Sequence, residues 1–320
     1  MTAKKAITIS DEEFISKIEM WGTLDTATAL SVHERTVERH RWILEKKLGR
    51  KIVPGNRRYR PLMQSFSFPP SYQLNVSDGY VVIFSDAHYW PGHISTAHRG
   101  LLAVLKDLGK ECKAIVCNGD ALDGNTISRF PPMNWDHRPT LKEELEEVQA
   151  RLGEIELCVP KVPKIWPIGN HDMRLEMRLA SELPEFAGVM GTKLKDHFPM
   201  WEPTMSIKVN NDTMIKHRWK GGIHASLNNT KESGRNIITG HTHKLNAIPF
   251  TDLNGTRFGV ESGTLCEIFA PQFAYIEDSP RNWISGFVAL RFWKGKLLWP
   301  RLARVIEDGV LEFENKVYEV

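Results

Sequence analysis

The chain has 320 residues, 41% of them hydrophobic and 25% charged, with a net charge of only +3. That composition fits a soluble globular protein built from one large domain and a small companion. No apolar run reaches the roughly 18 residues of a membrane span, and the N-terminal MTAKKAITISDEEF lacks the apolar stretch of a secretory signal, so no membrane is expected and the cytoplasm is the expected location.

The first elements read as helices. Ser10 followed by Glu13 makes a capping box, with Phe14, Ile18 and Trp21 at helical spacing behind it. A break at Gly22-Thr23 leads to a short segment, Asp25 to Leu30. Ser31 with Glu34 then predicts a second cap, opening a helix to about Leu48 that places Val37, Leu44 and Leu48 on one face and ends at Gly49. Residues 1–52 are read as one domain. Between His33 and Arg60 stand ten Lys/Arg against three Asp/Glu, a local +7, which leaves −4 for the rest. A basic module on a mildly acidic body points to an anionic partner.

Residues 53–79, rich in Pro, Ser, Gly and Arg, read as a linker. From Tyr80 the texture changes: the apolar runs YVVIFS, AIVCNG and KIWPIG alternate with helical stretches such as HRGLLAVLKDLGK and LKEELEEVQARLGEIELC. Beyond Met200 hairpins follow, one turning at Asn210-Asn211-Asp212 and one at Lys294-Gly295-Lys296. An α/β domain over 80–320 is predicted, a sandwich of two sheets flanked by helices. The cysteines (Cys112, Cys117, Cys158 and Cys266) show no C-x-x-C spacing and read as buried thiols.

The apolar runs share one property: each ends in residues suited to metals. The ends are Asp86-x-His88, Asp120 with Asp123 three residues on, Asn170-His171-Asp172, His217, and His241-x-His243. Open α/β sheets carry their sites at the carboxyl ends of strands, so these groups can meet in one crevice. Carboxylates, imidazoles and an amide without thiolates suit manganese, iron or zinc. Gathering them in one cleft is costly unless a cation compensates, and they outnumber the ligands of one four-coordinate ion. Two divalent ions sharing a carboxylate would use them all.

SDAH, GDALD, GNHD, a strand-terminal His217 and GHTH, in that order from Tyr80 to Gly263, resemble the five signature blocks of the calcineurin-like metallophosphoesterases. The resemblance implies an αββα core and two metal ions, manganese first, with iron, zinc or nickel as alternatives. It assigns Asp86, His88 and His243 to one metal, Asp120 to the bridge, and Asn170, His217 and His241 to the other. It also implies that a hydroxide held between the metals attacks phosphorus, with His171 assisting and Asp123 orienting the ring of His171. The fourth block often reads His-Gly, which leaves His224 as a rival to His217.

Other residues carry weaker signals. Arg174 and Arg129 are candidates for a phosphate oxygen, and Tyr89 and Trp90 for stacking on a ring. The C-terminal aromatics Trp283, Phe287 and Trp293 read as core. The stretch TATALSVHERTVERHRWILEKKLG resembles a helix-turn-helix, which makes Arg35, Arg39 and Arg41, with Arg57 and Arg58 of the linker, candidate DNA contacts. DNA is therefore the expected partner, and the expected activity that of a phosphodiesterase or nuclease, similar to the bacterial and phage-borne putative repair exonucleases of the superfamily. Two alternatives stay open. One is a phosphatase or small-nucleotide phosphodiesterase whose N-terminal domain mediates protein contacts, homodimerisation included. The other is a DNA-binding regulator with an inactive body.

Overall fold

Ser10 opens the first helix as its position predicts, its hydroxyl accepting the amide of Glu13 at 3.2 Å. Helix α1 spans Asp11–Ala29 and bends at Gly22, whose φ of 78° interrupts it. The structure is a computed structural model that describes residues 7–54, 68–130, 138–276 and 281–320, so Arg57 and Arg58 lie outside the described residues. The chain divides into two units, Met1–Ser67 and Phe68–Val320.

In the first unit, helix α2 spans Glu34–Leu48 and ends at Gly49. Its cap is His33, whose Nδ1 accepts the amide of Arg35, and not Ser31. Ser31 adopts a left-handed φ of 53°; it makes the turn that precedes the helix, a role more usual for Gly or Asn. Phe14, Ile18, Ala27, Val37, Leu44 and Ile52 form the core. Leu48, expected on that face, is exposed. Arg35 and Arg39 are exposed on α2, and Arg41 is half-buried, 4.0 Å from Glu45.

The second unit begins before Tyr80. Strand β1, Tyr72–Leu74, pairs in parallel with β6, Ile207–Val209, and Leu74 and Val76 are buried. The linker expected over 53–79 therefore does not extend past Tyr72: one edge of a sheet is built from its last residues. The larger sheet contains β2 (Gly79–Phe84), β3 (Cys112–Cys117), β4 (Lys164–Pro167) and β5 (Glu202–Thr204), all parallel. On the other side of β2 it continues antiparallel through β11 (Gly286–Trp293), β13 (Arg301–Glu307), β14 (Val310–Phe313) and β15 (Lys316–Glu319), with β12 (Lys296–Leu297) paired to β11. The smaller sheet runs β1, β6, β7 (Thr213–Lys216), β8 (Asn236–Thr239), β10 (Gly255–Ser262) and β9 (Leu245–Asp252). Both predicted hairpins form.

Strand β2 shows why its sequence is apolar without alternation: it is buried on both faces. Val81 and Ile83 meet Ile215, Ile238 and Val260 of the smaller sheet. Tyr80, Val82 and Phe84 meet Leu101 and Leu105 of α3 (Thr96–Leu108) and Val148 and Leu152 of α4 (Leu141–Cys158). Each such side chain contributes about 1.5–3 kcal/mol of hydrophobic burial. Helix α7 (Ala225–Ser233) covers the smaller sheet so closely that a Cβ at Gly259 would meet Ser226 O at 2.1 Å. The layers thus run helix, sheet, sheet, helix. The carboxyl ends of β2, β3 and β4 lie at one edge because these strands are parallel neighbours, and β7 and β8 form a similar pair in the other sheet. Among the described residues, no helix is long and apolar enough to cross a membrane.

Candidate metal centre

Every candidate ligand sits just past a strand, and most stand in left-handed backbone. Among the described residues nine non-glycine residues have positive φ, and five of them are Asp86, His88, Asp120, His241 and His243. Left-handed backbone is costly for such side chains, and its clustering here marks a functional constraint. Two glycines make the close approach: a Cβ at Gly169 would fall 2.0 Å from Asp120 Oδ1, and one at Gly119 would fall 2.3 Å from His217 Nδ1. The Gly in GNHD and the Gly in GDALD are thus steric requirements of the neighbouring ligands.

The donor atoms converge in overlapping sets: Asp86, His88 and His243; His88, Asp120 and His171; and Asp120, His217 and His241, with ligand atoms in each set within 4.8 Å of one another. Asp120 belongs to a set on either side, the place of a bridge. His243 Nε2 lies 3.2 Å from Asp86 Oδ1, and His217 Nε2 lies 3.1 Å from Asp120 Oδ2. Asn170 Oδ1, His88 Nε2 and His217 Nε2 are buried without a hydrogen-bond partner. Such orphaned acceptors are expensive unless something absent from the chain satisfies them. The residues present therefore fit a pair of divalent cations.

Tautomers follow from the partners. His88 Nδ1 lies 2.9 Å from Asp123 Oδ1, and His217 Nδ1 lies 2.7 Å from the carbonyl of Asn118. Both partners accept, so Nδ1 carries the proton in each ring and Nε2 keeps its lone pair for a metal. Burial pushes His88 down and favours that neutral form, against the bond to Asp123. Burial acts in the same direction on His217, but the charge of Asp120 overrides it and pushes the imidazole up to about 10. Asp123 is buried, which raises it, yet hydrogen bonds from His171 and His88 hold it well below the usual carboxylate range.

His171 and Asp123 meet as expected. His171 Nδ1 lies 3.0 Å from the Asp123 carbonyl and 3.2 Å from its carboxylate, while Nε2 faces Arg174 Nη2 at 3.2 Å. Both nitrogens are engaged within the chain, so the ring stands at the edge of the set it forms with His88 and Asp120. Arg174 begins α5 (Arg174–Glu182) and donates to the Asp123 carbonyl at 2.7 Å, so it belongs to the site. Arg129 does not: it is exposed, over the ring of Phe130. Tyr89 is also corrected. It is buried, its hydroxyl 3.0 Å from His98 Nδ1, and only Trp90 stays near the surface. His224 is exposed ahead of α7, whereas His217 is buried with its Nε2 3.1 Å from Asp120 Oδ2. Trp283 is no plain core residue, for its ring lies 4.2 Å from that of His243; Phe287 is core and Trp293 is exposed.

No family model and no curated protein matches this chain. Among solved structures it is similar to a predicted phosphoesterase of Streptococcus pneumoniae TIGR4, at 12% identity over 75% of this chain and 99% of that one, with a TM-score of 0.30. It is also similar to a protein serine/threonine phosphatase of Saccharomyces cerevisiae, at 12% identity over 79% and 84%, TM-score 0.34. A third is a purple acid phosphatase from yellow lupin seeds, at 14% identity over 79% and 54%, TM-score 0.38. At such values the superpositions carry no weight, and the side-chain geometry decides.

Three buried carboxylates brace the ligand loops; sequence reading set Asp172 among the metal-suited strand ends and gave none of the three this bracing role. Asp172 accepts the amides of Asp120 (2.8 Å), Gly169 (2.8 Å) and Leu122 (3.2 Å) and the indole of Trp166 (2.9 Å), tying the ends of β3 and β4 together. Burial and Asp120 push it up to about 6, against those donors. Glu144 on α4 accepts the amides of Gly124 and Asn125, beside Asp123. Glu261 accepts from Thr242, between His241 and His243, and from Asn246. Only Glu144 left a signal: it falls on the buried stripe of Val148, Leu152 and Ile155 within a run of otherwise solvated glutamates.

Proposed function

We propose that this protein is a two-metal-dependent phosphoester hydrolase. One observation carries the reading: Asp120 belongs both to the set with His88 and to the set with His217 and His241, and the buried Nε2 atoms of His88 and His217 have no hydrogen-bond partner among the described residues. Asp86, His88 and His243 would hold one cation, Asn170, His217 and His241 the other, and Asp120 both. Bound there, the cations supply Lewis acidity to a phosphoryl group and acidify a water. Asp123 fixes the ring of His171 through Nδ1 and favours its protonated form; with Arg174 turned to the phosphate, Nε2 would deliver the proton to the departing oxygen. Arg174, against that same nitrogen, binds a non-bridging phosphate oxygen.

The substrate we infer is DNA, cleaved as a phosphodiester. The support is charge: Arg35 and Arg39 stand exposed on α2, in the basic segment of the N-terminal unit. Binding there would tether the hydrolase to its polymer and raise the local concentration of ester. A second reading has its own observation, since Trp42 and Ile43 are exposed on the same helix and favour a protein contact, homodimerisation included. Turnover of duplex DNA, RNA, a cyclic dinucleotide and a phosphomonoester, compared side by side with Mn²⁺, tests the choice. DNA should be cleaved fastest, with a salt dependence that weakens in an Arg35→Ala, Arg39→Ala double variant. Preference for the monoester would replace the nuclease reading with a phosphatase.

A further inference from the structure

A cavity of about 170 Å³ opens directly beside the centre. Its walls include His88, Trp90, His93, Glu267, Phe269 and Gln272. The far wall is fixed to the metal loop: Gln272 Nε2 donates to the His88 carbonyl at 2.9 Å, and the Phe273 ring lies 5.3 Å from the His88 ring. The space is smaller than the ~300 Å³ at which pockets for whole small molecules begin. It holds one ring, not a complete substrate.

The chemistry of the walls selects that ring. Trp90 is half-buried and Phe269 is 87% exposed, so two aromatic faces stand free at the mouth; bases stack on such faces whatever their sequence. Glu267, exposed at the rim, accepts among the described residues only a long hydrogen bond from the Thr96 amide at 3.4 Å. Its carboxylate repels a second phosphate and accepts from an amino group, as acidic side chains do from the N4 amine of cytosine.

We propose that this cavity is the subsite for the organic group of the scissile ester, and that it takes a nucleobase bearing an exocyclic amine. The proposal rests on the phosphoester reading and adds what the metals cannot: a choice among esters. Trp90 and Phe269 hold the base by stacking, and Glu267 reads its amine.

Saturation-transfer NMR of the metal-free full chain with cytidine and with uridine tests it. Cytidine should bind about tenfold more tightly than uridine, whose carbonyl cannot donate to Glu267. Glu267→Gln, at an exposed position, should abolish the difference, and Trp90→Ala or Phe269→Ala should each weaken cytidine about tenfold. Equal binding of the two nucleosides, no saturation transfer, or discrimination that survives Glu267→Gln would overturn the subsite. Hydrolysis of methyl p-nitrophenyl phosphate with Mn²⁺ is measured in parallel. Cytidine discrimination without hydrolysis supports a nucleobase-binding cavity but overturns the phosphoester reading and with it the cavity's place beside a scissile ester; hydrolysis without nucleoside discrimination overturns the subsite alone.

Discussion

His217 Nε2 and Asp120 Oδ2 face each other across 3.1 Å, yet that nitrogen is buried without a hydrogen bond. Two ligands bound at right angles to one cation, each at ~2.1 Å, stand ~3 Å apart. The separation thus fits neighbouring positions on a shared ion, and the same holds for His243 Nε2 and Asp86 Oδ1 at 3.2 Å.

His171 has both ring nitrogens engaged, by Asp123 and by Arg174, and its role should separate from metal binding. His171→Ala should retain both cations while kcat falls by about 10²–10⁴, the usual worth of a positioned proton donor. Metal analysis beside steady-state kinetics checks this. Loss of metal in the variant would make His171 a ligand instead.

Gly119 is required by the ring of His217. A Cβ there would stand 2.3 Å from Nδ1, on backbone with φ of 85°. Gly119→Ala should displace His217, remove one cation of the two and slow hydrolysis on the order of 100-fold, the cost of a displacement near 1 Å. A variant with both ions and an unchanged rate would contradict the packing described.

Glu144 links the site to stability. Burial, then the charge of Asp123, raises it from the usual 4.5 to about 7, against the amides of Gly124 and Asn125. A carboxyl raised on folding is more protonated in the folded chain, so its contribution is full below pH 4.5 and is lost as pH rises through 7. Between pH 5 and pH 8 the metal-free protein should lose roughly 2–3 kcal/mol through this group. Glu144→Gln keeps an acceptor and should remove that slope. Denaturant unfolding at both pH values decides; parallel losses in the two proteins would rule the assignment out.

Much of the site was readable because its chemistry is local. Each ligand follows an apolar run, and Gly119 and Gly169 directly precede Asp120 and Asn170 in the chain. The two-sheet architecture was readable too, since strands such as β2 are apolar on both faces and the hairpin turns carry Asn, Asp and Gly. What escaped depends on contacts distant in sequence. Strand β1 hid in a proline-rich stretch because three residues gain strand character only by pairing with β6. Glu261 looks like an ordinary polar residue, and Asp172 like one more strand-end ligand, until folding aims hydroxyls and amides at them. Tyr89 and Trp90 are adjacent and similar, and only the packing of α3 and α4 sends one inward to His98 and leaves the other at the cavity mouth.

The central claim is a pair of divalent cations held through Asp120. Electron paramagnetic resonance of the full chain titrated with Mn²⁺ addresses it without reference to any substrate. Two ions per chain with an exchange-coupled signal are predicted, and Asp120→Ala should abolish the coupling. A single uncoupled ion, or coupling that survives without Asp120, would contradict it.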